Sequence, residues 1–279
     1  MTTARTATHS VRKTSLMTAL AILGGALALL VSSAQSADTA KKPTPKPTIV
    51  LVHGAWADST GWSGVIKRLD KDGYDVLAPA TPLRSLSGDA AYLASFLAQT
   101  PGPIVLVGHS YGGAVITNAA AGHDNVKALV YIDGFAPDIG ENTLALAGAD
   151  SLIPTSIEFK GIPPFGPTDV DVYIKKESFR QTFAADVSKK EAALMAVAQR
   201  PAAAATGSEP TTATAWRTIP SWYLVGRQDR TITPAAQRFM AHRAGSTTVE
   251  INSSHVSMIS HPGAVADLIE TAANATAAG

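Results

Sequence analysis

Cysteine is missing altogether from the 279 residues. Its absence excludes disulfides, thiolate-bound metals, a catalytic thiol and lipid attachment through a leader cysteine. Charge and aromatics are sparse, at 16% and 6%, against 46% hydrophobic residues. That balance is too apolar for a disordered chain and sufficient for a large buried core. Neither sign of charge dominates, with 23 basic and 22 acidic residues, so no basic surface argues for nucleic acid. No two histidines stand at ligand spacing on one helix, so no metal centre is expected. No internal repeat is present.

Arg5, Arg12 and Lys13, with no acid among them, precede an apolar run from Leu16 to Val31 and then small residues up to Ala37. This is the layout of a secretory signal peptide over residues 1–37. Cleavage after Ala34 or after Ser36 satisfies the small-residue rule. An uncleaved anchor is the alternative, because the run is near the lower limit for crossing a bilayer. The expectation is export, secreted or periplasmic, with no stable membrane association after signal removal. The remainder then carries 20 basic and 22 acidic residues, and without disulfides its core must stabilise it. Residues 38–47, with Pro43, Pro45 and Pro47 among lysines, read as a linker.

From Thr48 to the end, strand and helix patterns alternate. Thr48 to Val52, Ile104 to Val107 and Val126 to Ile132 are apolar runs of buried-strand type. Tyr74 to Ala78, Ser221 to Val225 and Thr247 to Ile251 are further strands. Helical spacing runs over Trp62 to Lys71, Gly88 to Gln99, Gly113 to Ala121, Pro234 to Ala244 and Pro262 to Ala273. Such alternation predicts an α/β domain over 48–279, with a parallel sheet covered by helices on both faces. From about 136 to 219 the rhythm breaks, with Pro137, Pro154, Pro163, Pro164, Pro167, Pro201 and Pro210 and one clear helix from Lys189 to Arg200. That stretch reads as an inserted cap. Its Phe159, Phe165, Phe179, Phe183 and Met195 either pack the cap onto the sheet or line a pocket.

The most informative segment is Gly108-His109-Ser110-Tyr111-Gly112, between a buried strand and a helix rich in small residues. A serine hydroxyl becomes a useful nucleophile only where a base can reach it. A sharp strand-to-helix turn lifts it clear of the sheet, and the crowded neighbours, here Gly108 and Gly112, must then be very small. His255, in a polar loop after the last strand, is the candidate base. Asp229, separated by three residues from the strand ending at Val225, is the candidate acid, with Asp133 as the alternative. The order serine, acid, histidine suits this architecture. Ligands bind such sheets at the carboxyl ends of the strands. The amides of Ala55, in His53-Gly54-Ala55-Trp56, and of Tyr111 are the expected oxyanion-hole pair. His261 reads as structural, at the entry to the last helix, and His123 and His242 as solvated.

With these parts in this order, the chain resembles the α/β-hydrolase superfamily over residues 48 to 275. Val52-His53-Gly54-Ala55-Trp56, Gly108-His109-Ser110-Tyr111-Gly112-Gly113, Tyr131 to Pro137 and Ser254-His255 are similar to the bacterial esterase-like branch related to plant methylesterases and hydroxynitrile lyases. Trp56 and Phe135, within two of these stretches, are the candidate substrate-binding side chains. The resemblance implies an eight-stranded, mostly parallel sheet, no cofactor and a cap over the serine. It further implies that the partner is a small-molecule ester, cleaved through an acyl-enzyme. Amide, lactone or thioester hydrolysis would use the same residues. A lyase and a non-catalytic binding protein are the rival readings. Related lyases place a lysine beside the acid loop, where this chain has Arg227 and Arg230, and Asp133-Gly134 stands where related chains carry small residues.

Overall fold

The computed structural model describes residues 46–161 and 170–277. The expected signal peptide, most of the linker and Phe165 lie outside the described residues. The core opens with β1 (Thr48–Val52), then a 3-10 turn, Ser59–Trp62, running into α1 (Ser63–Lys71). β2 (Val76–Leu77) and α2 (Leu86–Gln99) follow. The Ser85 hydroxyl accepts from the Gly88 amide at 3.1 Å, so α2 starts two residues earlier than the apolar spacing suggests. β3 (Ile104–His109) leads directly into α3 (Tyr111–Ala119), and β4 (Val126–Ile132) follows.

Between β4 and the next core strand lies the insertion. It contains α4 (Thr143–Leu146), α5 (Ile153–Ser156), β5 (Ile157–Gly161), β6 (Val170–Ile174), α6 (Lys176–Thr182), α7 (Lys189–Ala198), β7 (Ala202–Ala203) and α8 (Ala205–Ser208). The core resumes with β8 (Ser221–Gly226), α9 (Pro234–Arg243) and β9 (Thr247–Ile251), and closes with α10 (Ser257–Ser260) and α11 (Pro262–Ala277).

The core strands form one sheet in the order β2-β1-β3-β4-β8-β9, every neighbour parallel. The central sheet of the described residues therefore has six strands rather than eight. Three further strands, β5-β6-β7, form a separate antiparallel sheet in the insertion. That sheet is not legible as alternation, because β7 is only two alanines long.

Alternate side chains of each core strand point to opposite faces. Val50, Val52 and Leu106 pack with α2, α3 and α9 residues such as Leu93, Val115 and Met240. Ile49, Leu51, Val105 and Val107 pack on the other face with Trp62, Leu69 and Ile269. The insertion joins this second face through Phe179 and Phe183 of the α6 region, both fully buried with ring centroids 5.2 Å apart.

Register then places the site. Val52 of β1 stands beside Gly108 of β3, His109 beside Ile132 of β4, Ile132 beside Leu224 of β8, and Gly226 beside Ile251 of β9. All these strands run the same way, so the segments that follow each of them emerge at one edge of the sheet. Those segments are 53–56, 110–111, 133–135, 227–232 and 252–255.

Replacing Phe179 with alanine empties a fully buried site and should lower the unfolding free energy by about 3–5 kcal/mol. Urea denaturation followed by far-UV circular dichroism measures it, and a loss under about 1 kcal/mol would show that the insertion is not anchored there.

Candidate active site

Ser110 stands between β3 and α3 with φ 52° and ψ −124°, a conformation rare for a residue with a side chain. The turn closes because the Gly113 amide donates to the Ser110 carbonyl at 2.9 Å and the Phe135 amide to the same carbonyl at 3.0 Å. There is no room beside it. A Cβ on Gly108 would lie 2.6 Å from the Gly112 carbonyl oxygen, and one on Gly112 would lie 2.5 Å from that of Val52. The sequence marks both positions. It gives less notice of Gly54, where a Cβ would meet Ser110 Cβ at 2.6 Å, and of Gly113, where it would meet the Phe135 carbonyl at 2.5 Å.

The three side chains singled out by their order meet at this turn. Ser110 Oγ lies 2.7 Å from Nε2 of His255, and Nδ1 of the same ring lies 2.6 Å from Oδ2 of Asp229. All three residues are buried. Asp229 is held from both sides. Its Oδ1 accepts from the amides of Thr231 at 2.7 Å and Ile232 at 3.0 Å, and its Oδ2 accepts from Nε2 of Gln237 at 2.6 Å. Burial pushes the Asp229 carboxyl upward, and these donors pull it back. Burial also lowers the His255 imidazole to about 3, so the ring is neutral at neutral pH. With a carboxylate at Nδ1, the tautomer carries its proton there and leaves Nε2 free to accept one from Ser110.

Several supporting groups gave no signal in the sequence. His109 is fully buried, its Nε2 is 2.8 Å from the His255 carbonyl oxygen, and burial holds its ring neutral, so that nitrogen donates. Gln237 binds Asp229 from α9 and accepts from the Gly226 amide through Oε1 at 3.2 Å. Asp186, from the cap, accepts from both the hydroxyl and the amide of Ser254, the residue before His255. Phe183 places its ring centroid 5.1 Å from that of His255. His109 lies in the elbow motif but nothing there marks its long-range bond, Gln237 stands eight residues from Asp229 on a helix with no motif, and Asp186 and Phe183 reach the base from distant chain.

The alternative acid, Asp133, is also buried and close enough to feel the charge of Asp229, but among the described residues its donors come from Ser257 alone, the amide at 3.2 Å. It is Asp229, not Asp133, that meets the imidazole. His261 is half-exposed and bonds Ser260, with Asp186 3.7 Å away, away from Ser110. His123 is partly exposed and His242 is exposed at the end of α9. Arg230 is exposed, and Arg227 reaches Glu250 at 3.3 Å.

Ser110 opens into a cavity of about 230 Å³. Ala55, Tyr111, Trp56 and Phe135 all line it, and its far walls come from the cap, through Leu144, Ile157, Phe159, Ala202 and Gly207 among others. No charged residue lines it among the described residues. Among those residues, the amides of Ala55 and Tyr111 donate to no carbonyl or side chain. The cap aromatics divide between the two expected roles. Phe179 and Phe183 pack, Met195 is a partly buried packing residue, and Phe159 lines the cavity while remaining 63% exposed.

The carbendazim hydrolyzing esterase of Nocardioides sp. (strain SG-4G) is 36% identical over 110 residues, 35% of this chain and 46% of that protein. The chain thus spans under half the length of this relative. The crystal structure of a pyrethroid hydrolase from Sphingobium faniae JZ-2 superposes with a TM-score of 0.69 at 21% identity, covering 84% of this chain and 99% of that one. Polyneuridine aldehyde esterase superposes with a TM-score of 0.69 at 17% identity, covering 81% and 99%. The model of the alpha/beta hydrolase family matches residues 49–268, nearly the whole of the strand and helix alternation that builds the sheet. The chain belongs to the α/β-hydrolase family.

Proposed function

We propose that this protein is an exported serine esterase that cleaves uncharged, largely apolar carboxylic esters through an acyl-enzyme. The observation that carries the proposal is the unbroken chain from Ser110 Oγ through the His255 ring to Asp229, at 2.7 and 2.6 Å, opening into a cavity that no charged side chain lines among the described residues. The leader-like segment supports export. The relatives support the ester, since two are named for hydrolysing carbendazim and pyrethroids.

The reaction follows from the geometry. Ser110 Oγ attacks the ester carbonyl carbon as its proton passes to Nε2 of His255. The Asp229 carboxylate, held by its three donors, stabilises the imidazolium that results. The carbonyl oxygen, now carrying charge, turns toward the amides of Ala55 and Tyr111. Loss of one such donor typically lowers turnover on the order of a hundredfold to a thousandfold. Collapse expels the alcohol, which takes the proton from Nε2. Water then attacks the acyl group on Ser110 with the same base and releases the acid. Trp56 and Phe135 border the cavity at the serine and supply apolar contact to the bound ester.

Replacing Ser110 with alanine should lower hydrolysis of a p-nitrophenyl ester by roughly a millionfold and abolish labelling by a fluorophosphonate, with the circular dichroism spectrum unchanged. Ester turnover persisting in that variant would remove the nucleophile from Ser110. The base must be neutral to work, and burial lowers the imidazole of His255 from its ordinary 6.5 to about 3. The acid limb of kcat/KM against pH should therefore fall below 6.5, with activity retained into mildly acidic solution. A limb centred at or above 6.5 would contradict this account of the base.

A further inference from the structure

Asp133 is a buried carboxyl that the proposed reaction does not use. It follows β4 directly, has φ 44° and is 0% exposed. Its amide donates to the Leu224 carbonyl at 3.0 Å, which fixes its backbone to β8. Its Oδ2 accepts from the Ser257 amide at 3.2 Å, two residues past His255. Its Oδ1 is buried and has no partner among the described residues.

A carboxylate left with so few donors costs far more than one that is satisfied. The contrast with Asp229 is direct. That carboxyl takes the amides of Thr231 and Ile232, the side-chain amide of Gln237 and the imidazole of His255. When two buried carboxyls feel each other, the proton resides on the one with fewer donors. The surroundings of Oδ1 point the same way. The position a Cβ of Gly226 would occupy lies 2.7 Å from Asp133 Oδ1, 3.0 Å from the Ser254 carbonyl oxygen and 3.1 Å from that of Ser253. Oδ1 and two carbonyl oxygens of the loop that carries His255 thus lie around one point, with no donor on Oδ1 among the described residues. A charge on an oxygen buried without a donor goes uncompensated, whereas a protonated carboxyl carries none.

We propose that Asp133 is a positioning residue that works un-ionised, bracing the His255 loop through the Ser257 amide and leaving the negative charge at Nδ1 of His255 to Asp229. The role as a brace for catalysis rests on the esterase reading above; the protonation state does not. The titratable groups that bear on Asp133 are Asp229 from the loop after β8, Asp186 from the cap, Tyr223 from β8 and the neutral His255. Burial first, and the charge of Asp229 second, hold the Asp133 carboxyl well above the ordinary carboxylate range. The Tyr223 hydroxyl stays protonated for the same reasons and donates to the Gly134 carbonyl.

The test compares Asp133→Asn, which keeps an acceptor for Ser257 and carries no charge, with Asp133→Ala. In the unfolded chain Asp133 loses its proton above about 3.9, whereas the folded protein retains it. The native protein therefore loses stability as pH rises above that value, and an asparagine does not. Asp133→Asn should melt several degrees higher than the native protein at pH 8, with the difference shrinking toward pH 4. It should hydrolyse the p-nitrophenyl ester near the native rate, while Asp133→Ala loses on the order of a hundredfold in kcat with KM little changed. Infrared spectra of the native protein at pH 8 should contain the carbonyl stretch of an un-ionised carboxyl, present still in Asp229→Asn and missing in Asp133→Asn. A lower melting temperature for Asp133→Asn at pH 8, a pH-independent difference, or the absence of that band from the native protein would each overturn the proposal. If Asp133→Asn does not fold, the native band decides alone. Loss of Ser110 labelling would instead bear on the esterase reading, and it leaves the melting and infrared results standing.

Discussion

The backbone of Ser110 depends on glycine. A residue with a side chain at φ 52° stores strain on the order of 1–3 kcal/mol, and it persists only where its neighbours leave it no alternative. Here the neighbours are main-chain atoms. The Gly112 carbonyl, the Val52 carbonyl and the Phe135 backbone occupy the places where side chains of residues 108, 112 and 113 would go. Gly54 closes the fourth side against Ser110 itself. The hydroxyl is aimed at the imidazole because nothing else in the turn can give way. Strand register then does the rest, since parallel neighbours deliver the base and acid loops to the same edge.

Electrostatics set the second constraint. The imidazole, Asp229 and Asp133 are all removed from water. In such a medium the protein controls protonation through donors rather than solvation. Asp229 collects donors from its own turn and from α9, which makes it the place for the charge. His109 contributes without titrating. Its neutral ring donates to the backbone carbonyl of His255 and so holds the base from behind the nucleophile's own turn. Asp186 holds the residue before the base from the cap side. The loop carrying His255 is thus fixed by the elbow, the cap and β4 together.

Much of this was readable in the chain because it is local. The runs at Val126–Ile132 and Thr247–Ile251 became strands with the same ends, and the elbow, acid and histidine lay where their flanking strands implied. What failed was nonlocal. Tyr74 to Ala78 reads as a full strand, yet only Val76–Leu77 pair, at the edge of the sheet beside β1. The expectation of eight strands came from resemblance, and the central sheet has six among the described residues. Gln237 sits on a helix whose spacing says nothing of an aspartate eight residues earlier. Phe183 gives no sign in sequence that its ring will meet His255. Such residues are chosen by tertiary contact, and no periodicity encodes them.

The cap's attachment follows the same logic as the elbow. Among the described residues, four without a glycine's freedom have positive φ, and two of them, Ser110 and Asp133, directly follow the core strands β3 and β4 at the site. The other two, Trp56 and Leu83, stand where core loops meet the cap. Trp56 donates from its amide to Arg200 and from its indole to the Val172 carbonyl at 2.9 Å, while the Leu83 carbonyl accepts from Ala203 at 2.9 Å. Each bond ends on or beside a short strand of the cap sheet, whose residues Val172, Ala202 and Ala203 also wall the cavity. The exposed Arg84–Asp171 pair at 2.5 Å adds little beside these, because a surface ion pair is worth about 1 kcal/mol or less. The cavity's walls are therefore held by main-chain hydrogen bonds to strained core positions. The cap sheet cannot move away from Ser110 without breaking those bonds, so the shape offered to a substrate is set by the same edge that sets the chemistry.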